Sequence, residues 1–332
     1  MILLAYGTRP EYIKIKPLIN EMAKRNIKFK TLFTGQHEDI VASNPDLSIY
    51  IPKDGTNRLD TILSSCMNLP DEFFNGIQYI LVQGDTTSVV GLSLSAMHRK
   101  IKLIHMEAGL RTYDSNNPFP EENNRRIVSS IADIHLCPTE LNKDNLIKEN
   151  VTGEIFVVGN TGLDNLVYLK RDCEYTNKVL VTLHRRENIE LITEWFEEIN
   201  KLAKFHPELN FILPMHPNPK IRLHRNILKY VNVIEPLNHS ELLSLLVKCR
   251  IVITDSGGLQ EECSFLNKRC VVCRKTTERP ESLGFSTELV KSPKQLQHIF
   301  EYCNDNHQIN VVSPYGDGYS SIKIIDILSK LI

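Results

Sequence analysis

The sequence predicts an α/β protein built from two doubly wound domains. Three observations carry this expectation. Short apolar runs recur at spacings that leave room for a helix between them, which favours parallel strands with crossover helices. A second series of such runs follows a turn-prone joint. Polar clusters come directly after many of the runs, where strand carboxyl ends would gather them around a ligand. A length of 332 residues with 42% hydrophobic content is sufficient for two medium cores.

The first series comprises Ile2-Tyr6, Lys28-Phe33, Tyr79-Val82, Ile101-His105, Ile134-Cys137 and Ile155-Val158. The second comprises Val179-Leu183, Phe211-Leu213, Val231-Ile234, Ile251-Thr254 and Cys270-Val272. The joint is expected near Val158-Gly159-Asn160-Thr161-Gly162, followed by a helix from Leu163 to Lys170. The expected domains are therefore residues 1–165 and 166–332, with an amphipathic terminal helix, Ser321 to Ile332, set to pack back on the first.

Charge and cysteine usage narrow the class. The 39 basic and 40 acidic residues are interspersed and leave a formal net charge of -1, which argues against a nucleic-acid surface. Eight Cys show no regular disulfide framework and read as reduced thiols. Cys270-Val271-Val272-Cys273 has half the spacing of a zinc site but no partner pair, so no metal is expected. The opening Met1-Ile2-Leu3-Leu4-Ala5-Tyr6 is too short for a signal peptide, and no apolar span is long enough for a membrane. A cytoplasmic protein without a membrane partner is expected.

The most informative phrase is Asp255-Ser256-Gly257-Gly258 after the run Ile251-Val252-Ile253. A strand that ends in Ser-Gly-Gly and restarts as a helix presents backbone N–H groups to an anion, and the small residues admit a bulky diphosphate. No Lys-Ser/Thr follows the glycines, which removes the ATPase or GTPase reading. Glu262, one turn further on, either accepts from ribose hydroxyls or is helix surface charge.

Other polar groups follow the strands. Gly7-Thr8-Arg9-Pro10-Glu11 leads into a helix that carries Lys14. Asp85 either caps the helix near Thr86 or faces the crevice. Glu107 is either a base whose burial suits proton transfer near neutrality or the partner of Arg111 or Arg125. Glu121 and Glu122 fit the first turn of a helix. His184-Arg185-Arg186 either offers cations for a diphosphate or is a charged solvent-facing loop, and His216 with Thr277-Glu278-Arg279-Pro280-Glu281 either lines the cleft or serves as turn chemistry.

Taken in order, these phrases resemble the non-hydrolysing UDP-N-acetylglucosamine 2-epimerase family. The resemblance runs from Gly7-Thr8-Arg9-Pro10-Glu11 through Gly35-Gln36-His37, Gly84-Asp85-Thr86, Glu107-Ala108-Gly109-Leu110-Arg111 and Pro120-Glu121-Glu122 with Arg125. It continues through His184-Arg185-Arg186-Glu187-Asn188, Asp255-Ser256-Gly257-Gly258, Thr277-Glu278-Arg279-Pro280-Glu281 and Tyr315-Gly316-Asp317-Gly318. Leu183 departs from it, standing where many relatives have Gly.

The resemblance implies two Rossmann-like domains in a GT-B arrangement with an interdomain active-site cleft, a homodimer, and interconversion of UDP-GlcNAc with UDP-ManNAc. It implies elimination of UDP to give 2-acetamidoglucal, then re-addition, with no cofactor. Carried over, Asp85, Glu107, Glu121 and His184 are the catalytic set. Arg9, Lys14, Arg125, Arg185, His216, Ser256, Gly257, Gly258 and Glu262 bind substrate. Gln36, Arg185 and His216 would contribute to the activator pocket that some bacterial members have. The alternatives are a 2-epimerase of another UDP-2-acetamido sugar, a GT-B glycosyltransferase using the same cradle, and a noncatalytic nucleotide-sugar sensor.

Overall fold

The computed structural model describes residues 1–36, 44–52 and 58–331. His37 of the Gly35-Gln36-His37 phrase and the terminal Ile332 lie outside the described residues. The chain divides into two units, the first formed by Met1–Asn165 with Gly316–Ile332 and the second by Leu166–Tyr315.

The first unit holds strands β1 (Ile2–Tyr6), β2 (Phe29–Phe33), β3 (Leu47–Ser48), β4 (Tyr79–Gln83), β5 (Lys102–Met106), β6 (Ile134–Cys137) and β7 (Glu154–Val157). Its helices are α1 (Arg9–Lys24), α2 (Arg58–Met67), α3 (Thr87–His98), α4 (Glu121–Ile131) and α5 (Glu140–Lys148). The second unit holds β8 (Lys178–Thr182), β9 (Asn210–Pro214), β10 (Asn232–Ile234), β11 (Cys249–Thr254), β12 (Arg269–Cys273) and β13 (Thr287–Val290). Its helices are α6 (Arg186–Ile189), α7 (Ile192–Phe205), α8 (Pro219–Arg222), α9 (His239–Leu246), α10 (Gly257–Phe265) and α11 (Leu296–Asp305), and the final helix α12 (Ser320–Leu331) belongs to the first unit.

Both sheets are parallel, in the orders β3-β2-β1-β4-β5-β6-β7 and β10-β9-β8-β11-β12-β13. Each order reverses once, between β1 and β4 and between β8 and β11. Those reversals are where open α/β sheets leave a crevice beyond their strand ends.

The central strands read as unbroken apolar runs because helices cover both faces of the first sheet. Ile2, Leu4 and Tyr6 of β1 pack with Ile15, Leu18 and Met22 of α1 and with Ile324, Ile325 and Leu328 of α12. Leu3 and Ala5 point the other way, toward Val89, Val90, Leu92 and Ala96 of α3. In the second unit Val179 and Val181 share a core with Trp195 and Phe196 of α7 and with Phe300 of α11. Leu183 is buried in that same core.

Helix starts follow local chemistry. Thr8 with Glu11, Thr139 with Asn142, and Asn238 with Glu241 form reciprocal capping boxes at α1, α5 and α9. The start of α12 is held from a distance, as Asp164 accepts from Ser320 N at 3.0 Å and Ser321 N at 2.7 Å.

Three details differ from the sequence expectation. The edge strands β3 and β13 were not anticipated: one is two residues long and the other carries a charged Glu288. The expected helix from Leu163 to Lys170 is instead two 3-10 segments, Thr161–Leu166 and Leu169–Asp172. Side-chain bonds tie the first of these to α1: Thr161 Oγ1 donates to Lys14 O at 2.6 Å and Asn165 Nδ2 to Ile13 O at 3.2 Å.

Candidate functional site

In the first unit, the exits of β1, β4 and β5 carry the polar groups. Gly7 closes β1 in a space that nothing larger fits, since a Cβ there would meet Thr34 Oγ1 at 2.0 Å. Thr8 then caps α1, Pro10 sits in the first turn, and Arg9 stays exposed. One turn on, Lys14 Nζ reaches the carboxylate of Glu107, which also accepts from Gln83 Nε2. Glu107 itself has a φ of +65°, a left-handed conformation that a non-glycine residue adopts only when its surroundings hold it there. Of the cations that the sequence offers as partners of Glu107, Arg111 instead forms a bidentate pair with Glu149 at 2.8 and 2.7 Å, and Lys14 is a cation on Glu107 that the sequence did not pair with it.

Asp85 does not cap α3. Thr86 is the N-cap, and Asp85 Oδ2 accepts from Arg125 Nε at 2.8 Å. The turn that presents Asp85 is fixed by Gly84 at φ +78°, by Asn124 Nδ2 donating to Asp85 O at 2.8 Å, and by His105 Nε2 on Gly84 O at 2.8 Å. Burial pushes the His105 imidazole down to about 3, so it is neutral and carries its proton on Nε2.

Glu121 and Glu122 share the first turn of α4 but not a role. Glu122 is 0% exposed and accepts from Thr112 N and Tyr113 N at 3.0 Å each and from Arg125 Nη1 at 2.5 Å. Glu121 is half-buried, and its Oε2 has no hydrogen-bond partner among the described residues.

In the second unit, the exits of β8 and β11 are stitched together by Asp255. Its Oδ2 accepts from His184 N at 2.9 Å, Arg185 N at 2.8 Å and Asn188 Nδ2 at 3.0 Å. His184 Nδ1 stands 3.4 Å from Asp255 Oδ1. The His184 ring stacks on His216, with centroids 5.2 Å apart and planes within 8°. Asn218 N donates to His216 Nδ1 at 3.2 Å, and burial followed by the neighbouring His184 lowers the His216 pKa.

Ser256 is the N-cap of α10, its Oγ accepting from Leu259 N at 3.5 Å, so Gly257 and Gly258 supply first-turn N–H groups that have no intrahelical acceptor. Glu262 is half-buried on the same helix, 3.5 Å from His239 Nε2. The Thr277-Glu278-Arg279 segment clamps α10. Thr277 Oγ1 donates to Gln260 Oε1 at 2.9 Å, Gln260 Nε2 donates to Arg279 O at 2.7 Å, and the Arg279 guanidinium pairs with Glu261 and Glu278.

The structure thus groups Lys14 with Glu107, Asp85 with Arg125, and His184 with His216. Ser256, Gly257, Gly258 and Glu262 lie on or at the start of one helix. Gln36 belongs to the first unit, where its Oε1 accepts from Ser88 N at 3.3 Å. Residues to which the sequence assigned no role also enter: Gln83 on Glu107, Asp255 and Asn188 beneath the second loop, His239 beside Glu262, and Glu11 under the first loop. Only Glu11 carried a readable signal, the Thr-x-x-Glu capping spacing from Thr8.

Among the described residues, no group of three or more His, Cys, Asp or Glu is placed to hold a metal ion. Likewise, none of the described helices is long and apolar enough to cross a membrane.

Comparison with known proteins gives a consistent picture. The sequence profile described as UDP-N-acetylglucosamine 2-epimerase matches residues 20–329. The UDP-N-acetylglucosamine 2-epimerase of Campylobacter jejuni is 37% identical over 374 aligned residues, which cover 99% of this chain and 97% of that relative. The crystal structure of UDP-GlcNAc 2-epimerase from Neisseria meningitidis bound to UDP-GlcNAc is similar at a TM-score of 0.89 and 33% identity, covering 99% of both chains. That of the Methanocaldococcus jannaschii enzyme in complex with UDP-GlcNAc and UDP gives a TM-score of 0.84 and 30% identity, again covering 99% of both. The two parallel α/β units are Rossmann-like, and the fold, like that of these neighbours, is GT-B-like. A family profile that spans most of the chain, and relatives that match nearly all of it, place this protein in the UDP-N-acetylglucosamine 2-epimerase family.

Proposed function

We propose that the protein interconverts UDP-GlcNAc and UDP-ManNAc by inverting C2 of the sugar. The observation that carries this reading is the set of carboxylates at adjoining strand exits of the first unit, Asp85 after β4 and Glu107 after β5, in a chain of this family. Epimerisation at a carbon bearing a weakly acidic hydrogen needs proton acceptors and donors around one centre.

In the first step a carboxylate takes the C2 proton. The C–H electron pair becomes the C1=C2 bond, and the C1–O bond breaks to release UDP, leaving 2-acetamidoglucal. In the second, a proton is delivered to C2 from the opposite face and a diphosphate oxygen of UDP adds back to C1. The sequence of steps is redox-neutral.

Lys14 and Gln83 hold the Glu107 carboxylate in place to accept a proton, while Glu121 Oε2, which has no hydrogen-bond partner among the described residues, is free to take one up or give one out. Arg125 orients Asp85. In the second unit the Ser256-Gly257-Gly258 N-terminus binds the diphosphate, His184 and Arg185 offset its charge, and Glu262 accepts from the ribose hydroxyls. The protein acts as a homodimer in this reading, which sedimentation would test.

Incubation with UDP-GlcNAc in D2O, followed by proton NMR, tests the reaction. UDP-ManNAc carrying deuterium at C2 is the expected product. A wild-type protein that yields neither epimer nor exchange overturns the proposal.

A further inference from the structure

Glu11 is 2% exposed, and its two carboxylate oxygens serve two different strand exits. Oε2 accepts from Gly7 N at 2.5 Å and Thr8 N at 3.0 Å, in the loop that carries Arg9 after β1. Oε1 accepts from Thr86 Oγ1 at 2.6 Å, in the loop that carries Asp85 after β4. Thr86 Oγ1 lies 3.0 Å from Ser88 Oγ, and Ser88 N donates to Gln36 Oε1 at 3.3 Å in the loop after β2. A single buried side chain therefore ties together the loops on both sides of the sheet reversal.

We propose that Glu11 is a positioning residue for the epimerisation: its hydrogen bond to Thr86 sets the placement of Asp85 relative to the Arg9 loop, and reversal of that bond is the switch between a competent and a less competent arrangement. The proposal rests on the functional reading above. With Glu11 ionised, the Thr86 hydroxyl must donate to Oε1, which leaves Thr86 Oγ1 to accept from Ser88. With a proton on Oε1, the acid donates to Thr86 and the Thr86 hydroxyl turns to Ser88. Oε2 keeps both backbone N–H groups in either state.

Both states are within reach near neutrality. Burial, opposed by the hydrogen bonds from Thr86, Gly7 and Thr8 and reinforced by the charge of Asp85, pushes the Glu11 carboxyl up to about 7. From α2 it faces the Cys66 thiol, which burial pushes up to about 12 and which therefore stays protonated.

The Glu11→Gln variant separates positioning from mere support. Its amide oxygen can accept from Gly7 and Thr8 while its amide NH2 donates to Thr86, fixing the arrangement of the protonated acid without a titrating group. In wild-type protein the Gly7 and Thr8 amide resonances are expected to titrate with a midpoint near 7, and in Glu11→Gln they should not. The variant's kcat for UDP-GlcNAc should be about tenfold below wild type at pH 8 with KM within about twofold, and it should lack the acid limb that Glu11 contributes to the wild-type profile. Wild-type kcat in Glu11→Gln at pH 8, or an amide titration that survives the substitution, overturns the proposal. If Glu11→Gln does not fold, Glu11→Asp decides: it should keep the titration with lowered kcat, and an unchanged kcat overturns the assignment. A wild type that lacks epimerase activity would sink the functional reading, whereas the amide titration reads Glu11 without turnover.

Discussion

Arg125 holds Asp85 and Glu122 with one guanidinium: Nε donates to Asp85 Oδ2 at 2.8 Å and Nη1 to Glu122 Oε2 at 2.5 Å. Glu122 is fully buried and in turn accepts the N–H groups of Thr112 and Tyr113. The orientation of a proposed catalytic carboxylate is thus built on the same contact that anchors the loop before α4.

Removing that cation should have a large effect on folding. Arg125→Met takes the nearer of two cations from the buried Glu122 carboxylate, leaving Arg126 Nε at 3.8 Å, and the expected loss is about 3 kcal/mol in a urea titration. Arg125→Lys keeps the charge but cannot reach both carboxylates with a planar fork, so it should fold better than Arg125→Met while still lowering kcat.

Glu107 and Lys14 should separate chemistry from folding. Glu107→Gln is expected to abolish C2 hydrogen exchange in D2O while circular dichroism stays that of wild type. Lys14→Met removes the charge-assisted partner of Glu107 and should lower kcat by about 10²-fold. Retained exchange in Glu107→Gln would remove Glu107 from the catalytic set.

The two glycines of the cradle should respond differently. A Cβ on Gly257 would meet Arg279 Nη1 at 2.4 Å and Cζ at 2.8 Å, and Arg279 cannot retreat from its pairs with Glu261 and Glu278. Gly257→Ala should therefore destabilise the protein by about 1–3 kcal/mol. Among the described residues, a Cβ on Gly258 would meet Ser256 Oγ at 3.9 Å and nothing nearer beyond its chain neighbours and its own helix backbone. Gly258→Ala should melt like wild type yet bind UDP more weakly in calorimetry, because the added methyl would stand in the path proposed for the diphosphate.

Glu11 also predicts a pH dependence of stability. Its folded-state value, about 7, lies above the ordinary 4.5, so its contribution is fully present below pH 4.5 and is lost as pH rises through 7. The displacement corresponds to about 3 kcal/mol. The stability difference between wild type and Glu11→Gln, from denaturant titrations at pH 4.5 and pH 8, should move against wild type by about that amount at the higher pH.

The strands were legible because central strands of a parallel sheet must be apolar on both faces, as Ile2 to Tyr6 and Tyr79 to Val82 are. The polar residues that follow them were legible for the same reason, standing where the apolar runs stop. Pairing was not legible. Nothing local distinguishes Lys14 from Arg111 as the partner of Glu107, or Glu122 from Glu121 as the buried member of their turn, because both outcomes depend on which strands become neighbours. Asp255 illustrates the limit: the sequence places it beside the cradle, while its hydrogen bonds go to a loop some seventy residues earlier.

The placement of α12 in the first unit has a consequence for biosynthesis. Ile324, Ile325 and Leu328 cover the apolar stripe of α1 formed by Ile15, Leu18 and Met22, and Asp164 waits for Ser320 and Ser321. The Met1–Asn165 portion of the first unit is therefore made well before α12, the helix that completes its core. During that interval it is exposed to chaperones and proteases, and a premature stop codon after Tyr315 would leave the second unit's residues complete and the first unit unfinished.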